Sequence, residues 1–281
     1  MSIMKPASKR IGIGPDEELG LRISVAAIVG VYFSDPENGK TMLVLERTAT
    51  LQMIDGKPEV SVKVKPFGGG VRLLDPERLN ILIGKFHYDS RKSSEEKDFR
   101  IRANPDSWVK IKEICKEHLI YPDKGLLDTG PERELGEEFE DSLKIKIGTD
   151  DYFLRKKGMV FEDLQVNTNN INAPGSPTVR VYYLFDARIK SQHIIKQILE
   201  NSRKYSDNDL SKMALEDYNQ GGKGRVNAVL SVEPDDLKNF YVSIPVDKRG
   251  GLLRYGEHQL EGNIPALFED ISSNKFKRFT I

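Results

Sequence analysis

Cysteine is nearly missing from this chain: of 281 residues only Cys115 carries a thiol. A single thiol excludes an intrachain disulfide framework and points to a reducing, cytoplasmic setting. Net charge is missing too. Lys and Arg total 43 and Asp and Glu total 43, a formal charge of +0, which argues against broad electrostatic binding to nucleic acid or membranes. No run is long and apolar enough to span a membrane, and Met1 to Arg10 holds no signal-peptide core. His87, His118, His193 and His258 are the only histidines and show no ligand spacing, which speaks against zinc. No repeat recurs at solenoid periods. The remainder, 38% hydrophobic and 31% charged, suits a soluble globular protein of one large domain or two small ones.

Residues 1–20 are a polar lead in which Ile11 and Ile13 offer a weak edge pairing. The Val, Ile and Ala of Arg22 to Phe33 predict a buried strand, and Asp35 to Lys40 a turn. Thr41 to Arg47 alternates as a second strand, and Val60 to Lys65 as a third, after a turn at Ile54-Asp55-Gly56-Lys57. Then comes Pro66-Phe67-Gly68-Gly69-Gly70-Val71. Three glycines there make either a plain turn or a place where the backbone approaches a ligand closely.

Asn80 to Tyr88 is strand-like, Asp89 to Lys97 a polar charged loop, and Phe99 to Ala103 weakly alternating. Asp106 or Ser107 caps a predicted helix whose stripe, Trp108, Ile111, Cys115 and Leu119, reads as packing. The stretch Thr129-Gly130-Pro131-Glu132-Arg133-Glu134-Leu135-Gly136-Glu137-Glu138-Phe139 predicts another helix, capped by Thr129 or Asp128, with Pro131 in its first turn. Leu135, Phe139 and Leu143 form its apolar face, and Glu134, Glu137, Glu138 and Asp141 fall opposite. Carboxylates stacked this way repel one another. Bound divalent cations remove the repulsion, and carboxylate oxygens are what Mg²⁺ and Mn²⁺ prefer. A charged surface helix is the bland alternative.

Downstream, Leu143 to Ile147, Gly158 to Val166, Thr178 to Arg188 and Arg225 to Val232 read as strands, and Asn167 to Pro177 as a loop. Ser191 caps a helix to Tyr205 with Ile194, Ile195, Ile198 and Leu199 as its stripe, and Asp207 to Tyr218 is a second helix. Gly221-Gly222-Lys223-Gly224-Arg225 lacks P-loop spacing and reads as a flexible loop. Val232 to Leu237 steps from strand to helix, Pro265 to Ile271 is a short helix, and the tail from Ser272 is basic.

The acidic helix resembles the core of the Nudix box, Arg-Glu-hydrophobic-x-Glu-Glu-x-Gly-hydrophobic. Arg133, Glu134, Leu135, Glu137 and Glu138 match, while Glu140 and Asp141 stand where the family has Gly and a hydrophobic residue. Nudix boxes are entered through a Pro-x-Gly-Gly step like Pro66 to Gly69, and Asp75 falls where the pattern places Glu. The family has seven residues between that acid and the Arg. Here about 57 separate Asp75 from Arg133, so about 50 are inserted.

The resemblance implies an α/β fold, a Nudix-like α/β/α sandwich with a mixed sheet. One domain would span 21–271, with insertions at about 76–128 and about 190–224, a lead at 1–20 and a basic tail at 272–281. It implies a metal-dependent hydrolase that cuts a phosphoanhydride bond in a nucleoside diphosphate-linked or related nucleotide. Glu134, Glu137 and Glu138 would hold Mg²⁺ or Mn²⁺, Arg133 would orient the carboxylates, and Gly68, Gly69 and Gly70 would shape the approach. The general base stays open among Glu216, Asp217 and Glu257. The partner is a small-molecule nucleotide, with a homodimer left open. Two alternatives remain: a nucleotide or nucleotide-messenger sensor without turnover, and a protein interaction module.

Overall fold

Strand β1 (Leu21–Ser34) is the axis on which the other elements assemble. The computed structural model describes residues 20–122, 125–167 and 175–280. The pairing expected of Ile11 and Ile13, and most of the loop expected before Pro177, lie outside the described residues. One edge of β1 runs parallel to β10 (Pro177–Ile189), from Arg22 to Tyr32. Its other edge is shared in succession by β7 (Arg100–Ala103), β4 (Phe67–Gly70) and β2 (Thr41–Ile54), all antiparallel. Beyond β2 lie β3 (Lys57–Lys65) and the hairpin β12 (Leu253–Tyr255) and β13 (His258–Leu260). Beyond β10 lie β9 (Tyr152–Asn167) and β14 (Lys277–Phe279). β11 (Arg225–Val232) pairs with β2, β6 (Phe86–Tyr88) with β7, and β5 (Arg72–Leu73) with β8 (Leu127–Asp128) in a separate ribbon. This is a mixed α/β fold built on a large mixed sheet.

Side chains alternate across a strand, so β1 serves two cores. Ile23, Val25, Ala27, Val29 and Val31 share one with Val181 and Tyr183 of β10. Four helices cover that face: α1 (Pro76–Ile83), α3 (Ser107–Ile120), α4 (Pro131–Leu143) and α5 (Gln192–Lys204). Ile28 faces the other core with Leu43, Leu45 and Leu184, closed by α7 (Pro234–Ser243) and residues 260–271. Helix α6 (Asp207–Asn219) seats Leu210 and Ala214 on Ala49 and Ala228. Among the described residues no helix is long and apolar enough to cross a membrane.

Several segments differ from expectation. Of residues 80–88, expected to be extended, 80–83 end α1 and only 86–88 form a strand. The Asp75 carboxylate accepts the Arg78 N–H, Pro76 fills the first turn, and Leu79 and Ile83, four apart, are buried. The expected loop at 89–97 contains a short helix, α2 (Arg91–Glu96), which the Ser90 hydroxyl caps by accepting the Ser93 N–H. The expected strand at 143–147 is absent. α4 runs to Leu143, Lys144 turns left-handed, and Ile145 and Ile147 pack irregularly at the core's rim. Neither Thr129 nor Asp128 caps α4 through its side chain; the Gly130 carbonyl accepts the Glu134 N–H, and Asp128 accepts the Gly130 N–H. The expected helix at 265–271 is one 3₁₀ turn, Ile264–Leu267. The basic tail adds β14 to the sheet edge.

Candidate active site

The glycine triplet is a strand rather than a turn. Gly68, Gly69 and Gly70 pair with Ile28, Ala27 and Ala26 of β1. α4 lies across this strand, held by Leu135 and by Phe139, whose ring stacks on Phe67 with centroids 5.2 Å apart. The reason for three glycines is then steric. A methyl group on Gly69 would collide with the Glu134 carboxylate, and one on Gly70 with that of Asp98. The Gly68 N–H donates to Glu138 Oε2 at 2.9 Å. Three carboxylates thus lie along one short strand, two from the acidic helix and one from the first insertion.

Their cationic partners are Arg133 and Lys65 for the two glutamates and Arg100, at 3.2 Å, for Asp98. Arg133 reaches Glu134 at 2.5 Å and Glu137 at 3.6 Å, and donates to the Gly70 carbonyl at 3.4 Å. Lys65 lies 3.2 Å from Glu138 and 2.6 Å from Glu46, a fully buried acid on β2. Arg225 approaches the other Glu46 oxygen at 3.7 Å, and Thr48 donates a hydrogen bond to it. Glu137 stays 62% exposed beside them.

Burial weakens the acidity of the whole row. It raises the Glu134 carboxyl above its usual range against the pull of Arg133, and the Asp98 carboxyl against that of Arg100. It raises the Glu138 carboxyl well above the carboxylate range, against the pull of Lys65. Burial also works against the Lys65 ammonium, yet Glu138 and Glu46 together hold it above the usual lysine range. Two carboxylates share that one ammonium, with Arg225 as a second, more distant cation at Glu46.

Of the residues singled out in the sequence, Gly68, Gly69, Gly70, Arg133, Glu134 and Glu138 come together, with Glu137 at the rim. The oxygens of Glu134, Glu137 and Glu138 do not converge on one point. Among the described residues the single trio with ligand atoms within 4.8 Å of one another is Asp207, Glu257 and His258. There Asp207 is engaged by His258 at 3.1 Å and by the buried Arg47 at 3.4 Å, so an ion-pair network accounts for the grouping. The candidate bases scatter: Glu216 is exposed on α6, Asp217 Oδ2 accepts the Gly224 N–H, and Glu257 sits in the trio just named. Asp98, Glu46 and Lys65 were missed as site residues. Asp98 gives no sequence signal, whereas Lys65 ends β3 just before the glycine step and Glu46 of β2 pairs with it.

Compared with known proteins, the chain matches no family model, no curated protein and no solved structure.

Proposed function

We propose that this protein is a metal-dependent hydrolase of phosphoanhydride bonds in nucleotide substrates, on a Nudix-like fold. The observation that carries the reading is the row of Asp98, Glu134 and Glu138 on a strand stripped of side chains, each carboxyl raised by burial. Buried acids crowded together with perturbed acidity are a mark of functional sites. The donor set is of the kind a hard divalent cation takes: carboxylate oxygens, with the solvent-exposed Glu137 at the rim beside them. Glu134, Glu137 and Glu138 would hold Mg²⁺ or Mn²⁺. When bound, the ion would neutralise phosphate oxygens and acidify a water. Arg133 holds Glu134 in place, and Lys65 keeps Glu138 oriented toward Gly68.

One observation favours a second reading, a nucleotide-binding module without turnover. Arg133 and Lys65 already engage the glutamates, whose oxygens do not converge. The two readings separate in an assay of the purified protein over a broad nucleotide panel with Mg²⁺ or Mn²⁺ and an EDTA control. Hydrolysis is expected with metal, to be abolished by EDTA and by Glu137→Gln with Glu138→Gln. Tight binding of one nucleotide without product, equal in wild type and Glu134→Gln, would establish the module instead.

A further inference from the structure

A cleft of about 910 Å³ opens at the C-terminal end of α4, walled by α5, α6 and the start of β11. That volume falls within the roughly 300–1,000 Å³ of small-molecule sites. It takes in Asp141, one turn beyond Glu137 and Glu138 on α4, and Arg225, which reaches Glu46. Glu46, Lys65 and Glu138 form a continuous series of ion pairs from there to the glycine strand. The cleft therefore adjoins the candidate site without containing its glutamates.

Among the described residues, Lys144, Lys204 and Lys223 of its lining form no ion pair with a carboxylate. The Lys144 amine donates to the Asp141 backbone carbonyl, not to an acid. Lys204 rests over the Tyr205 ring at 4.9 Å from its centroid, and Lys223 stands on the glycine loop. Two of the acids nearby are engaged. Asp217 Oδ2 accepts the Gly224 N–H at 2.8 Å, and Glu200 lies 3.8 Å from Lys196.

The loop at 221–225 explains how the cations are presented. Gly221 and Gly224 have φ of +87° and +64°, a left-handed backbone that favours glycine. The Gly221 N–H donates to the Tyr218 carbonyl, the Gly222 N–H to that of Asp217, and the Gly224 N–H to the Asp217 carboxylate. Those three N–H groups are used within the fold, so the loop cannot cradle a phosphate through them as a P-loop does. What it supplies is two long cationic side chains, Lys223 and Arg225, which line the same cleft as Lys144 and Lys204.

We infer that this cleft binds the polyphosphate portion of a nucleotide, with Lys144, Lys204, Lys223 and Arg225 as its recognition cations. The inference rests on the hydrolase reading for the identity of the substrate class. Because much of the cleft is built from the second insertion, that insertion selects substrates carrying several phosphate charges.

Calorimetry with ATP and with inorganic tripolyphosphate, both in EDTA, isolates the cleft from any metal. Both probes are expected to bind wild-type protein and Glu138→Gln. The double variant Lys204→Gln/Lys223→Gln is expected to lose at least tenfold in affinity for both. Lys57→Gln/Lys110→Gln removes the same charge from exposed positions elsewhere and is expected to bind like wild type. No binding, equal binding in the cleft variant, or an equal loss in the charge control would overturn the inference. Binding without turnover would sink the hydrolase reading and leave the cleft standing; turnover without cleft-dependent binding would do the reverse.

Discussion

Gly68 and Gly69 are neighbours in β4, yet a methyl group would meet different obstacles at each. At Gly68 it meets the Ala27 backbone carbonyl, and φ is +139°. Backbone in the middle of a sheet cannot step aside, so Gly68→Ala should cost about 3 kcal/mol or more in urea unfolding. At Gly69 the obstacle is the carboxylate end of Glu134, which can swing away. Gly69→Ala should therefore keep stability within about 1 kcal/mol of wild type while removing metal-dependent turnover. Comparable unfolding of both variants would show that Glu134 is not free to move. At this scale the sequence displayed the glycines and the acidic helix but not their contact. Asp98 was illegible because nothing near it in the chain marks it as facing Gly70.

Besides the β7 pairing with β1 and the packing of α1 and α3, a buried ion pair ties the first insertion to the sheet. Arg22 of β1 meets Asp89 at 2.7 Å, with side-chain exposures of 3% and 2%. Asp89 also accepts the Ser93 hydroxyl at 2.7 Å, which ties α2 to the same point. Asp89→Ala strands a buried guanidinium and should destabilise the fold by about 3–5 kcal/mol in urea titration. A loss below about 1 kcal/mol would mean that water reaches Arg22. The α3 stripe of Trp108, Ile111, Cys115 and Leu119 is buried as its spacing predicts. α1 was misread because its Asp75-Pro76 start signal doubles as the acid of the expected box spacing. α2 was missed because six polar residues carry no apolar period for a helix to show.

For the molecule as a whole, acid sensitivity has a traceable source in His118. The ring is buried on α3, edge-on to Tyr183 of β10 at 5.9 Å. Burial lowers its pKa, Lys156 lowers it further, and Asp128 opposes both. The unfolded chain protonates its histidines at about 6.5, before the folded protein does. Stability from this group is therefore full above that range and is lost as pH falls through it. From pH 7.5 to 5.5 the urea midpoint of the wild type should fall relative to that of His118→Gln. The raised carboxyls of Asp98, Glu134 and Glu138 act in the opposite sense but equally in both proteins, so they cancel in the comparison. Parallel curves would exonerate His118.

The sequence by itself determined the elements whose signals are local. An apolar run marks β1, apolar residues at every second position mark β10, and helical spacing marks α3, α4 and α5, because the side chains that define each face lie close together in the chain. Only the tertiary structure decided that the glycine triplet is a strand, since its hydrogen bonds go to β1, far back in the chain. It also decided that Lys65 stands between Glu46 and Glu138, and which carboxyls are held above their usual range. Charge, pairing and desolvation there depend on groups from four separate segments brought within a few ångströms, and no pattern within one segment encodes such a meeting.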